Sequence, residues 1–138
     1  MTLSRKAVRP VQIQLLLSHG ILPISFDYTL SPHVNVIDGA ISDARDAYAW
    51  AMRTLPGLVA ENGLAVDISK IVIVGWSTGG HLAMTLAWTT IQAGLPPPLA
   101  ILAFYCPTFY DPSGMHRHHV CVYKSFTTVI LTRKQMIH

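Results

Sequence analysis

A glycine-rich turn lies between two long apolar segments, and it constrains this sequence more than any other feature does. The β-branched run over residues 71–74 is typical of a strand covered on both faces, as in a parallel sheet. The turn, Gly75-Trp76-Ser77-Thr78-Gly79-Gly80, follows at once, and the apolar stretch over 81–93 after it predicts a helix. The chain must therefore reverse from strand to helix within about three residues.

This turn reads G-x-S-x-G, and in that position it predicts a serine nucleophile. So sharp a reversal forces the middle residue, Ser77, into a strained backbone conformation. Glycine at Gly75, Gly79 and Gly80 removes the Cβ atoms that would clash. Ser77 is then presented at the carboxyl end of the sheet, and the Thr78 amide at the helix N-terminus is predicted to donate to an oxyanion. A phosphate-binding turn is the alternative, but the spacing fits no dinucleotide motif and no P-loop lysine follows.

The other segments predict an α/β architecture. We expect a first helix over Pro10–Ser18 that Gly20 ends, and a second over 38–55 with Asp38 as its N-cap. The helix after the turn is expected over 79–93, and strands are expected over 21–28, 71–76 and 100–106. Helices and strands alternate along the chain, which favours a parallel sheet flanked by helices.

Composition narrows the classes of protein that remain. Hydrophobic residues make up 51% and charged residues 12% of the 138, which suits a buried core. Two cysteines suggest no disulfide framework, and no run is long enough for a signal peptide or a membrane helix. Residues 10–112 carry seven acids and three bases, so the positive charge lies at the ends. We therefore expect a soluble cytoplasmic protein with neither nucleic acid nor membrane as a partner.

Three segments resemble hormone-sensitive-lipase-type α/β-hydrolases. Residues 26–32 resemble the family's D-Y-R-L-x-P-E stretch, residues 75–80 its G-D-S-A-G-G elbow, and residues 103–107 the following strand that ends in Tyr-Pro. Residues 76–83 are most similar to hydrolase or thioesterase domains of fungal polyketide biosynthesis, including those fused to non-reducing polyketide synthases. Thr29, His33 and Trp76 depart from the family's Arg, Glu and Asp.

The resemblance implies a serine ester or thioester hydrolase of which this chain holds a part. The family's His-Gly-Gly-Gly oxyanion loop and a central strand precede the first segment, and its acid and histidine follow the last. We therefore expect a partial α/β-hydrolase fold over 1–112, a fragment of a mostly parallel sheet. Without the central strand, the strands over 21–28 and 71–74 would expose unpaired edges and favour aggregation, unless the segment over 120–131 fills the gap. Residues 113–138 are expected to form a divergent tail, with disorder as one outcome.

Three functional readings follow. The leading one is an inactive, truncated hydrolase of polyketide biosynthesis, from a degenerate gene or an incomplete gene model. The second is a non-catalytic protein that associates with a related hydrolase. The third is an active esterase or thioesterase, acting on a small-molecule ester or thioester, whose base comes from the tail: Asp111 with His116, His118 or His119. No metal or cofactor is predicted, because those histidines and Cys121 lack a second pair of ligands.

Overall fold

The computed structural model describes residues 10–29, 34–106 and 127–134, the last of these as backbone alone. Within them lie four helices, four strands and one π-helical turn. The helices are α1 (Pro10–Ser18), α2 (Ser42–Arg53), α3 (Leu55–Ala60) and α4 (Thr78–Gln92). The strands are β1 (Ile21–Ser25), β2 (Ala65–Trp76), β3 (Ala100–Phe104) and β4 (Thr127–Lys134), and the π-helical turn spans Ile37–Ile41.

The first helix and the glycines that end two helices agree with the sequence prediction. Gly20 and Gly94 adopt positive φ angles of 70° and 68°, each two residues after the end of its helix, α1 and α4 respectively. Each donates its N–H back to the last turn, Gly20 to Leu17 and Gly94 to Ile91. Glycine reaches this conformation without steric cost, so it is suited to this position.

The strand expected over 21–28 is shorter in the structure, because β1 ends at Ser25. The residues after it are held by a helix instead of by a neighbouring strand, since the Thr29 N–H donates to the Asp43 carboxylate at 2.6 Å. Tyr28, although outside the strand, is buried in the core. Residues 26–29, the described part of the resembling stretch, therefore lead from the sheet toward α2.

The prediction of a single helix over 38–55 is wrong. A π-helical turn precedes α2, and a break at Thr54 separates α2 from α3. Pro56 explains the break, because proline lacks the N–H of an interior helical residue but fits the first turn of a new helix. Asp38 is not the N-cap. Asp38 lies within the π-helical turn. Its backbone N–H donates to the side-chain oxygen of Asn35, and its carboxylate accepts a hydrogen bond from the side-chain N–H of Asn35.

The four strands form one sheet in the order β1-β4-β2-β3. β2 pairs with β3 in parallel, and β4 is antiparallel to both of its neighbours. β1, β2 and β3 consequently run in one direction, as expected, whereas β4 runs against them and makes the sheet mixed, with two antiparallel pairings and one parallel pairing. Pro23 lies in β1, at an edge, where a missing N–H is tolerated.

The gap expected between β1 and β2 is filled by a strand from the tail. Val129 of β4 pairs with Ile24 on one side and Ile73 on the other. The two inner edges that the sequence analysis expected to be unpaired thus have a partner. Of the tail expected over 113–138, the remaining residues lie outside those that the structure describes.

One face of the sheet carries the core. Ile71 and Ile73 are at most 1% exposed and pack with side chains of α2 and α4. Gly75 continues this alternation and abuts α4. The intervening residues, among them Trp76, therefore lie on the opposite face. The buried apolar residues of this core are Tyr28, Ala40, Ala44, Tyr48, Ala51, Leu55, Ile71, Ile73, Leu82, Ala83, Leu86 and Leu95.

β2 begins earlier than predicted, at Ala65 instead of residue 71. Its pairing with β4 shifts between Asp67 and Val72, which marks an irregularity. Asp67 stabilises this bend, because its carboxylate accepts both the N–H and the hydroxyl of Ser69 and lies 3.3 Å from the Lys70 ammonium. These interactions lower the pKa of Asp67. The hydrogen bond from the Ser69 hydroxyl has the largest effect.

Candidate active site at the carboxyl edge of the sheet

Ser77 occupies a strained turn between β2 and α4. Its φ of 53° and ψ of −124° lie in a region that non-glycine residues rarely adopt. The strain expected from the sequence is thus present. Ser77 is held there from both sides: its N–H donates to the Phe104 carbonyl at 3.0 Å, and its carbonyl accepts the N–H groups of Gly80 and His81 at 3.0 and 3.2 Å. The sheet fixes one end of the residue and the first helical turn fixes the other.

The glycines of the turn are required by close backbone contacts. A Cβ atom at Gly75 would lie 2.1 Å from the Gly79 carbonyl oxygen, which is backbone and cannot rotate away. A Cβ atom at Gly80 would lie 2.9 Å from the Cβ of Cys106 and 3.1 Å from the Gly75 oxygen. The G-x-S-x-G-G pattern therefore lets strand, helix and the end of β3 approach one another.

Thr78 is the first residue of α4, with Ser77 at the N-cap position. An N–H in the first turn of a helix has no acceptor within that helix, and the helix dipole favours negative charge there. The predicted role of Thr78 as a backbone oxyanion donor is consistent with this position. That role stays a prediction.

The end of β3 forms the second wall of the site. Trp76 and Phe104 are paired across the parallel strands, and their rings stack with centroids 5.8 Å apart and an interplanar angle of 15°. Tyr105 follows with a φ of 38° and is 79% exposed. Cys106 then lies against α4, its sulfur 3.6 Å from that of Met84. The sequence predicted a strand over 100–106 and a family resemblance over 103–107, but it did not predict that Phe104, Tyr105 and Cys106 lie at the site. The register of two apolar strands was the signal that could have located them.

Two histidines lie within the described part of the chain. His19 directly follows α1, and its Nδ1 is 2.8 Å from the Leu15 carbonyl oxygen. Because β1 starts at Ile21, two residues after His19, this histidine lies at the edge of the sheet opposite Ser77. His81 follows Ser77 by four residues on α4, and burial lowers the pKa of its imidazole. The tail candidates Asp111, His116, His118 and His119 lie outside the described residues.

A metal site is not supported in the described part of the molecule. No group of three or more His, Cys, Asp or Glu side chains there is arranged to hold an ion. Cys106 is a free, partly buried thiol. Cys121, the other cysteine, belongs to the histidine-containing tract that falls outside the description.

An apolar cavity lies at the opposite end of the sheet. Its volume is about 150 Å³, and its lining residues come from the end of α1 and the starts of β1 and β2. They are Leu17, Gly20, Ile21, Leu22, Leu64, Ala65 and Val66. Ala65 begins β2 and Trp76 ends it, so the length of the strand separates this cavity from Ser77.

No helix among the described residues is long and apolar enough to cross a membrane.

Comparison with known proteins agrees with this geometry. Residues 9–137 match a family described as having an alpha/beta hydrolase fold. The chain is 62% identical over 114 residues to a non-reducing polyketide synthase of Acremonium egyptiacum, and 59% identical over 112 residues to one of Stachybotrys bisbyi. A non-reducing polyketide synthase of Stereocaulon alpinum is 46% identical over 127 residues.

These alignments cover 83%, 81% and 92% of this chain but only 5% of each relative. No solved structure shows a significant match. A strained serine between a buried strand and a helix, three glycines that allow their close approach, and these matches lead to one conclusion: the chain belongs to the α/β-hydrolase fold family and is related to a region of fungal non-reducing polyketide synthases.

Proposed function

We propose that this chain carries the nucleophile of a serine hydrolase of fungal polyketide biosynthesis that acts on small-molecule acyl esters or thioesters. The observation that carries the proposal is Ser77, held at a φ of 53° between β2 and α4. In this chemistry Ser77 Oγ attacks the acyl carbonyl carbon, its proton passes to a base, and the alcohol or thiol leaves. Water then attacks the acyl-serine ester and releases the acid. We place the protein in the cytoplasm, because its two cysteines offer no disulfide framework.

We propose further that the 138-residue chain alone turns over no substrate. A serine hydroxyl is a weak nucleophile at neutral pH and needs a base within about 2.6–3.2 Å. His19 lies at the wrong edge of the sheet, and the lowered pKa of His81 makes its imidazole a weaker base. Loss of the base in well-studied triads lowers turnover by about a million-fold.

Labelling with a fluorophosphonate probe tests this second statement. We expect negligible labelling of the wild-type chain, no different from Ser77→Ala, and no hydrolysis of acyl thioesters above that variant. Ser69→Ala is the matched control, because Ser69 is exposed and lies on the same strand. Stoichiometric labelling that only Ser77→Ala abolishes would show that the chain finds a base.

A chimera tests the nucleophile itself. The 114 matching residues of the Acremonium egyptiacum synthase are replaced by those of this chain, and product formation is measured with and without Ser77→Ala. We expect product with Ser77 and a loss of several orders of magnitude without it. Equal product from both chimeras would contradict a nucleophilic role.

One observation favours a second candidate, an active enzyme whose base comes from the tail. β3 ends at Phe104, opposite Trp76, and β4 begins at Thr127, opposite Gly75. Both positions lie at the carboxyl edge, on either side of Ser77. Asp111, His116, His118 and His119 fall between them in the sequence. If the isolated chain labels at Ser77, substituting these three histidines and His81 in turn identifies the base.

A further inference from the structure

The backbone of Tyr105, the residue that follows β3, is fixed on both sides by contacts with the nucleophile elbow, residues 75–80. On its N-terminal side the Phe104 carbonyl accepts the Ser77 N–H at 3.0 Å. On its C-terminal side Cys106 lies so close to Gly80 that a Cβ atom there would be 2.9 Å from the Cys106 Cβ. The backbone of Tyr105 is therefore held in place by the same residues that form the turn around Ser77.

Packing does not account for a tyrosine at this position. Its φ of 38° lies in the left-handed region, which suits glycine far better than a large side chain. Its side chain is 79% exposed and so gains little from burial. Strained, exposed aromatic residues on a rigid backbone are unfavourable for folding, and such conformations cluster at functional sites.

Register places Tyr105 beside the nucleophile. Trp76 and Phe104 are directly paired, so the next residues, Ser77 and Tyr105, leave adjacent strands at the same edge. Neighbouring strands are about 4.8 Å apart. An acyl group attached to Ser77 Oγ at this edge therefore lies beside the backbone that carries the exposed Tyr105 side chain.

We infer that Tyr105 is a specificity-determining residue of the Ser77 site, and that it selects acyl groups carrying an aromatic ring. This inference rests on the proposed function of Ser77. A phenol ring held on a fixed backbone loses little freedom when it stacks on a planar group, and offset stacking between rings is favourable beyond the area buried. The stacked pair of Trp76 and Phe104 stiffens the two strand ends from which Ser77 and Tyr105 project.

Binding to two matched thioesters tests the inference without turnover. The N-acetylcysteamine thioesters of benzoic acid and cyclohexanecarboxylic acid differ in the planarity and π-system of one six-membered ring. Their dissociation constants are measured on the Ser77→Ala chain by titration followed by backbone amide NMR shifts. We expect the benzoyl thioester to bind at least about fivefold more tightly, with the largest shifts at residues 75–80 and 104–106.

Three further substitutions in the Ser77→Ala background separate recognition from structure. Tyr105→Phe keeps the ring, so we expect it to keep the preference for the benzoyl thioester. Tyr105→Gly removes the ring and tolerates the positive φ, so we expect it to lose that preference and to unfold at a higher temperature than the parent chain. Trp88→Ala is the control, since Trp88 is a half-exposed aromatic residue ten positions along α4 from Thr78. Equal affinity for the two thioesters, no measurable binding of either, or a preference that survives Tyr105→Gly would overturn the inference.

The two proposals fail separately. If the chain binds the benzoyl thioester more tightly but the chimera forms the same amount of product with and without Ser77→Ala, Ser77 is not the nucleophile and Tyr105 remains a binding residue. A chimera that needs Ser77, combined with equal affinity for the two thioesters, would leave the hydrolase and remove the specificity role.

Discussion

Helices α1 and α4 are both rich in apolar residues, yet they relate to the sheet in opposite ways. Eight of the fifteen residues of α4 are buried, whereas none of the nine residues of α1 is. Val11, Leu15 and Leu17 of α1 are each more than half exposed, at 74%, 59% and 51%. Burial is decided by which surface a helix meets, and apolar composition alone does not secure it.

The difference extends to the strands beside each helix. β2, next to α4, has neighbours on both sides and contributes Ile71 and Ile73 to the core. β1, next to α1, is an edge strand whose pairing within the described residues is with β4 alone. The molecule therefore has a packed region, formed by α2, β2 and α4, and an attached region, formed by α1 and β1.

Ser77 lies in the packed region, and this explains how its strain persists. A backbone held in a sparsely populated conformation costs about 1–3 kcal/mol, which the surrounding structure must offset. Leu82 and Leu86, on the helix that Ser77 begins, are completely or almost completely buried, at 0% and 1%. No residue of α1 or β1 is fully buried, so we expect the attached region to open first.

The largest effect is expected from a single methyl group in the packed region. In Gly75→Ala the new Cβ would meet the Gly79 carbonyl oxygen at 2.1 Å, with backbone on both sides of the clash. We expect a loss of unfolding free energy above the usual range of about 0.5–3 kcal/mol, seen as loss of the cooperative urea transition.

Gly57→Ala is the matched control for this change. Gly57 lies in α3 with nothing within 4 Å of the added atom, so we expect a gain of about 0.5–1 kcal/mol from helix propensity. If both variants unfolded at the wild-type urea concentration, the close packing of the elbow would be refuted.

A smaller and more local effect is expected from a proline in β4. Val129→Pro removes an N–H from the strand that joins β1 to β2, and proline is tolerated in sheets mainly at edges. We expect the amides of β1 to lose protection from hydrogen exchange by about 1–3 kcal/mol, more than those of α4.

Val129→Ala keeps the N–H and serves as the control for the change of side chain. A uniform loss of protection across β1 and α4 would show that the sheet opens as one unit, and the division into packed and attached regions would be wrong.

The elbow could be predicted because its determinants are close in sequence. A β-branched run, flanking glycines and an apolar helix act within about twenty residues, and the structure has the expected strain at Ser77. The break between α2 and α3 was also encoded locally, by Pro56, but the regular apolar spacing over 38–55 concealed it. Sequence periodicity reports which face is buried and is less sensitive to where a helix stops.

For β4 the sequence offered only an open alternative, that residues 120–131 fill the gap, and its register could not be predicted because strand pairing is not local. Thr127 pairs with Gly75 and Lys134 with Ala65, across more than fifty residues of chain. The segment over 120–131 alternates poorly, so it lacks the pattern that would have marked a strand. The partnership of Ser77 with Phe104 and Tyr105 was hidden for the same reason, since it depends on the register between β2 and β3.

The smallest effect is expected from acid, and it should act on the packed region. His81 lies in the first turn of α4, and burial lowers its pKa below the ordinary value of 6.5. The unfolded chain therefore takes up a proton near pH 6.5, while the folded chain resists until a lower pH. The contribution of His81 to the free energy of unfolding is complete above pH 6.5 and is lost as the pH falls toward the folded pKa, with a slope of at most about 1.4 kcal/mol per pH unit for one proton.

We expect the urea midpoint to decrease as the pH is lowered from about 7.5 to about 5.5, and His81→Gln to remove the part of that decrease that His81 causes. His19→Gln, at the opposite edge of the sheet, should keep it because His81 remains. Hydrogen exchange should show the acid-induced loss of protection in α4 before β1, since the buried imidazole belongs to α4. Loss in β1 first, or a slope unchanged in His81→Gln, would assign the acid sensitivity to another group and would remove His81 from the residues that support the elbow.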